Sequence, residues 1–255
     1  MHTIISEDKN MGYCTRDKIL GGLHMSRKDR GALTRLEIIQ EASRQFLEKG
    51  YTNTAVSAIS KVLDISPGNL TFHFPSKDSM LAELVDMLCS FQWKMMEKEA
   101  DEGFSSIMAI CLELTAMASI CETDEVARDF YISAYTSPLC LDIIRKNDTK
   151  RAQKVFRDYR PDWKEEQFEE AEILVFGIEY ATLMTTGDVV PLETRIAGAL
   201  QNILGIYGIP VEIRKAKVEK VFALDYRNLC KRVLADFKEF VEKTNEEAYQ
   251  ALIKK

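Results

Sequence analysis

The chain has 255 residues, 46% of them hydrophobic and 29% charged. That balance suits a globular protein of one large or two smaller domains and excludes a disordered or disulfide-stapled chain. Its net charge of −6 is unevenly spread: residues 26–78 carry eight Lys and Arg against six Asp and Glu, whereas residues 79–255 carry 23 against 31. The split fits a small segment facing an anionic partner and a larger one with another task.

No apolar run approaches the roughly 20 residues that span a bilayer. The N-terminal stretch lacks the apolar centre of a signal peptide. The expected location is therefore the cytoplasm, away from any membrane. Residues 1–25 read as a flexible leader, or as an artefact of start-site choice, with later possible starts at Met11 and Met25. Six cysteines (Cys14, Cys89, Cys111, Cys121, Cys140, Cys230) form no C-x-x-C pair, and the three histidines lie far apart, so zinc-ligand spacing is absent. Neither a cofactor nor a metal is expected.

Nearly every later segment reads as helix. Thr34-Arg35-Leu36-Glu37 has the form of a capping box opening a helix. Ile39, Ala42 and Phe46 give it one buried stripe, and Gly50 stops it. Thr54 is the expected N-cap of a second helix, with Val56, Ile59, Ser60 and Leu63 turned inward. Ser66 then caps a short third helix with Pro67 at its first position, where a missing N–H costs nothing. Leu70 and Phe74 anchor that helix, and its other side chains are left to face outward. A short polar helix braced by two amphipathic ones is the helix-turn-helix plan. Pro75 ends it and Ser76 caps a long helix reaching about Ala100. Further helices are expected near 104–122, 125–136, 139–159, 164–186, 192–207, 211–222 and 225–253. The fold class is all-α: a leader (1–25), a three-helix helix-turn-helix DNA-binding domain (26–78), and a larger helical regulatory and dimerisation domain (79–255).

The segments Glu48-Lys49-Gly50-Tyr51-Thr52-Asn53-Thr54 and Ser66-Pro67-Gly68-Asn69-Leu70-Thr71-Phe72-His73-Phe74-Pro75-Ser76-Lys77 resemble the N-terminal domain of the tetracycline-repressor (TetR) family, over roughly residues 34–85. The resemblance implies a homodimeric cytoplasmic regulator, usually a repressor, whose variable C-terminal body binds a small ligand and sets the spacing of two DNA-reading heads. It also implies that Pro67, Gly68 and Asn69 open the recognition helix. His73 and Lys77 would meet the DNA backbone, and Thr54 would meet a phosphate. The chain departs from many relatives in having Thr71 and Phe72 where tyrosine is common, and Asp64 where glycine is common in the turn. Asp tolerates a left-handed backbone better than most residues.

Chemistry assigns these positions different tasks. Phosphate contacts position a protein on DNA and base contacts specify the site. Lys77, Thr54 and His73 are of the first kind by type. Asn69 is the best base reader, because its amide can pair with adenine N6 and N7. Gly68 permits close approach, and Thr71 offers a methyl to thymine or a hydroxyl to phosphate. Ser66 and Phe72 complete the expected interface. Arg27, Lys28 and Arg30 precede the expected first helix and read as a basic arm or a solvated tail.

The expected effector is apolar or amphipathic, held in a cavity lined by Trp93, Met108, Cys111, Met117, Cys121, Phe130, Tyr131 and Tyr135. The same residues at helical spacing also read as plain core. For a homodimer, the helices near 165–186 and 192–207 offer apolar stripes (Ala171, Leu174, Ile178, Ala181, Thr185; Ile196, Ala199, Leu200, Ile203, Leu204), with Gly177, Gly198 and Gly205 permitting close approach. Intramolecular core is the other reading of both. Two other functions stay open: a regulator responding to oxidation through its thiols, and an all-α metal-dependent enzyme using Glu113, Glu172 and Glu179. The second lacks any catalytic motif.

Overall fold

A computed structural model describes residues 26–101, 105–187 and 190–254; the expected leader and Cys14 lie outside these. The described residues form eleven α-helices and no strand. They are α1 (Arg27–Lys49), α2 (Val56–Val62), α3 (Pro67–His73), α4 (Lys77–Asp101), α5 (Ser106–Thr123), α6 (Glu125–Thr136), α7 (Pro138–Phe156), α8 (Glu165–Met184), α9 (Leu192–Ile206), α10 (Val211–Ala223) and α11 (Tyr226–Ile253), with a 3-10 turn at Arg157–Tyr159 after α7.

The head is α1 to α3, and its start corrects the sequence reading. Ser26, not Thr34, caps α1: its hydroxyl accepts from the Asp29 N–H at 3.2 Å, and Asp29 places a negative charge against the positive end of the helix dipole. Thr34 sits inside the helix, where its hydroxyl donates to the Arg30 carbonyl at 3.1 Å. Arg27, Lys28 and Arg30 therefore lie on the first turns of α1, exposed, and not on a free arm. Thr54 is also not a cap. It is 2% exposed and donates to the Gly50 carbonyl at 2.7 Å, and α2 starts after Ala55 without a side-chain cap.

The turn between α2 and α3 forms as its residues dictate. Asp64 has φ 51°, the left-handed value for which Asp is suited, and Ser66 caps α3 through the Asn69 N–H at 3.1 Å. Leu70 and Phe74 are 1% and 2% exposed. Each contributes about 1.5–3 kcal/mol by burial and fastens α3 to the helices beneath it.

The apolar core runs unbroken from Ile38, Phe46 and Leu70 in the head, through Leu81, Leu84 and Val85 of α4, to Val241 in α11. α5 is the centre of the body, packed by α4, α6, α8, α9, α10 and α11. By length and composition it could cross a membrane, but most of it is buried by its neighbours, which identifies a core helix. α11 runs back along the molecule, packing on α5 and on α1 of the head.

Candidate functional site

α3 presents one face to solvent. Ser66, Pro67, Gly68, Asn69, Thr71 and Phe72 are all exposed, and Phe72 is 83% exposed, an unusual position for so large an apolar ring. The Asn69 amide makes no side-chain hydrogen bond among the described residues, so its donors and acceptor are open to a base edge. The Thr71 hydroxyl donates back to the Pro67 carbonyl at 2.9 Å, which leaves its methyl and an oxygen lone pair facing out. His73 is half-buried, with Phe72 edge-on at 5.2 Å. Burial, and then the nearby Arg35 charge, lowers its pKa, which favours the uncharged, hydrogen-bonding imidazole in the DNA-free chain.

Lys77 has a task within the head. Its ammonium donates to the carbonyls of Tyr51 at 2.7 Å and Thr54 at 3.0 Å, and stands 4.1 Å above the Tyr51 ring. Burial lowers its pKa. With two of three N–H donors committed, at most one is left for DNA. The Lys77 cation thus clamps the loop that leads into α2, as does the Tyr51 hydroxyl by donating to Asp78. Thr54, expected at a phosphate, lies beneath this clamp with its hydroxyl occupied.

The same loop ties the head to the body. The Thr52 N–H donates to Asp129 Oδ2 of α6 at 2.8 Å, and the Thr52 hydroxyl donates to Oδ1. Gly50 permits this approach: its φ is 92°, and a Cβ there would lie 2.8 Å from Asp129 Oδ2. Gly50→Ala is therefore expected to cost about 1–3 kcal/mol in urea denaturation; an unchanged midpoint would show that the joint gives way freely. Sequence reading did not single out Asp129, since nothing local distinguishes a helical aspartate that closes a distant loop.

In the body, two hollows lie side by side. One, of about 60 Å³, is walled by α4, α5 and α11, with Phe91, Met95, Met117, Tyr131 and Phe237 among its apolar side chains. The other, of about 50 Å³, is reached by Tyr135, Asp148, Arg151, Glu172 and Glu179. Leu88, Gln92, Glu113 and Met117 line both and form the partition. Of the residues expected around a ligand, Met117, Tyr131 and Tyr135 lie here, and Phe130 borders a smaller hollow against α11. Met108, Cys111 and Cys121 are fully buried and line none of these spaces. Trp93 turns away to donate to Asn147 at 2.7 Å, with the Lys154 ammonium 5.1 Å from its ring. The walls that sequence reading missed come from α4 and α11, whose meeting across α5 is a matter of long-range packing.

The five described cysteines are all buried and free. Burial pushes Cys111 and Cys121 up to about 12 and Cys140 and Cys230 up to about 11, and it raises Cys89 as well, so these thiols are inert at neutral pH. Among the described residues, no three His, Cys, Asp or Glu side chains are placed to hold one metal ion.

Three solved structures resemble the chain at 21% identity. An ArpA-like gamma-butyrolactone receptor aligns over 82% of this chain and 99% of its own, with a TM-score of 0.37. CprB from S. coelicolor A3(2), described as a TetR family protein, aligns over 81% and 98%, with a TM-score of 0.39. GusR from Salmonella enterica aligns over 69% and 94%, with a TM-score of 0.42. No curated protein matches the chain. Residues 38–84, which hold most of α1, all of α2 and α3 and the start of α4, match the model of the bacterial regulatory proteins of the tetR family. The helix-turn-helix head is thus similar, over these residues, to that of the tetR family of bacterial regulatory proteins.

Proposed function

We propose that the protein acts in the cytoplasm as a homodimeric repressor, reading a near-palindromic operator through α3 and leaving it when a small effector enters the body. The head would comprise residues 26–78 and the effector and dimer region residues 79–255, with α4 continuous across that boundary. The observation that carries the reading is the seven-residue α3, held from beneath by Leu70 while Asn69, Thr71 and Phe72 face outward.

The dimer is drawn from α8 and α9, on a face that differs from the expected one. Ile196, Ala199, Leu200, Ile203 and Leu204 of α9 are buried within the protomer and belong to its core. The open side of the pair instead carries Ile173 and Leu174, 56% and 57% exposed, with Gly177, Ala181 and Gly198. A Cβ on Gly177 or Gly198 would meet nothing within 4 Å. Gly205 faces Arg214 and serves packing inside the chain. An apolar face with small residues suits a four-helix interface with a second copy.

A route from effector to head is at hand in α11. Phe237 walls the apolar hollow, and two turns on, the buried Asn245 borders a groove with Leu36 and Ile39 of α1. Displacing Phe237 would shift the same helix against the head, which is the differential contact an effector needs.

Fluorescence anisotropy on the DNA upstream of the protein's own gene tests the reading. Nanomolar to sub-micromolar affinity that falls steeply with salt is expected. Asn69→Ala should cost about 1–3 kcal/mol at one base position in each half-site, with a preserved melting temperature. Parent-like binding by this variant would remove Asn69 from the interface.

A further inference from the structure

Among the described residues, the body gathers more carboxyl groups around one hollow than that hollow has cations to pair with them, beside an apolar hollow. Arg151, 5% exposed, forks onto Glu113 and lies 3.5 Å from Asp148. Glu172 and Glu179, on the next helix, have only hydroxyl hydrogen-bond partners among the described residues: Tyr207 donates to Glu172, and Tyr135 donates to Glu179 at 2.9 Å. Four carboxyl groups thus face one guanidinium around a single hollow.

We propose that the hollow reached by Asp148, Glu172 and Glu179 receives the ammonium end of an amphipathic organic amine, whose apolar part enters the neighbouring space lined by Phe91, Met95 and Phe237. An ammonium brings three N–H donors and one positive charge. A neutral alcohol brings no charge to pair with the carboxyl groups, and a fatty acid would add a fifth acidic group. A single metal ion does not fit, since no three of the acidic groups converge on one point.

The carboxyl groups report on the occupant. Burial raises Asp148 to about 6 and Glu172 to about 8, and raises Glu179 well above its usual range. At neutral pH the empty site therefore holds protons where the amine would place its charge. The groups facing these acids are Glu113 on α5, Tyr135 on α6, Arg151 on α7 and Tyr207 after α9. Arrival of a cation favours the ionised forms, and a proton leaves.

The proposal deepens the effector reading above and rests on it. Titration calorimetry of the full-length protein at pH 7 would use octylammonium, 1-octanol and octanoate as probes, each in two buffers of different ionisation enthalpy. Octylammonium is expected to bind at least tenfold more tightly than the other two and to release about one proton per site. Glu179→Gln and Asp148→Asn should each weaken octylammonium about tenfold and leave 1-octanol unchanged. Should either variant fail to fold, proton release by the parent protein decides alone. Equal binding of 1-octanol or octanoate, or no proton release, overturns the amine but leaves an effector cavity in place. If none of the three binds, the amine proposal falls; if other small molecules also fail to displace the protein from DNA, so does the effector reading.

Discussion

Leu174→Glu should convert the protein to monomers and weaken operator binding by at least about 100-fold, because two linked heads gain about that much or more over one. The effect is large because the proposed interface is isologous, so one substitution places a carboxylate on both sides of the axis. Like charges brought together in an apolar contact cost several kcal/mol. The protomer itself should be indifferent: Leu174 is 57% exposed and touches solvent in the single chain. The melting temperature of the isolated variant should therefore fall only by the part that dimerisation contributes, and helix content should be unchanged. Light scattering at micromolar concentration together with anisotropy on the operator reads both consequences. A variant that remains dimeric, or that binds as the parent does, would move the interface away from α8 and α9.

Local chemistry made the head largely legible. The cap at Ser66, Pro67 at the first helical position, the left-handed Asp64 and the anchors Leu70 and Phe74 each depend on neighbours within a few residues, and each is realised. The failures have a common cause. Thr34 offered a good cap, but the residues before it continue the helix and Ser26 caps it earlier. Lys77 looked like a phosphate ligand by type, yet two carbonyls and the Tyr51 ring lie within its reach. The apolar stripe of α9 was visible, but whether a stripe faces the chain's own core or a second copy depends on where other helices lie. The acidic residues of the body were visible one by one. Their convergence needs α5, α7 and α8 packed together, which no spacing in the sequence encodes.

α11 gives the head and body a second mechanical link besides α4. It borders the apolar hollow with Phe237, whose ring lies tilted 5.5 Å from that of Phe91, and reaches α1 where Asn245 borders a groove with Leu36 and Ile39. Asp129 supplies a third link at the Thr52 loop. A hollow of only about 60 Å³ would accept the proposed effector by displacing its walls, and α4 and α11 are the walls that continue to the head. The tight packing of a protein interior passes such a displacement on as a shift of whole helices.

The buried charge makes Arg151→Met the most damaging single change expected in the body. The substitution keeps an apolar side chain of similar length but leaves Glu113 and Asp148 without their guanidinium. Breaking one side of a buried pair costs about 3–5 kcal/mol. The loss should depend on pH in a definite direction. Burial already raises Asp148 and Arg151 opposes that rise, so without Arg151 this carboxyl holds its proton to still higher pH in the folded chain than in the unfolded one. Such a group destabilises the fold only as pH rises above the unfolded value of about 4, and the penalty levels off once the folded value is passed. Urea denaturation should therefore show a large loss relative to the parent at pH 8 and a much smaller one at pH 5. The parent should follow the same trend more weakly, because Asp148 is already raised to about 6 and Glu172 to about 8. An equal loss at both pH values would mean that Arg151 acts through packing alone. If octylammonium restores part of the variant's stability at pH 8 but not at pH 5, the ammonium is replacing the missing positive charge, and the surplus of acid in the hollow is what draws it there.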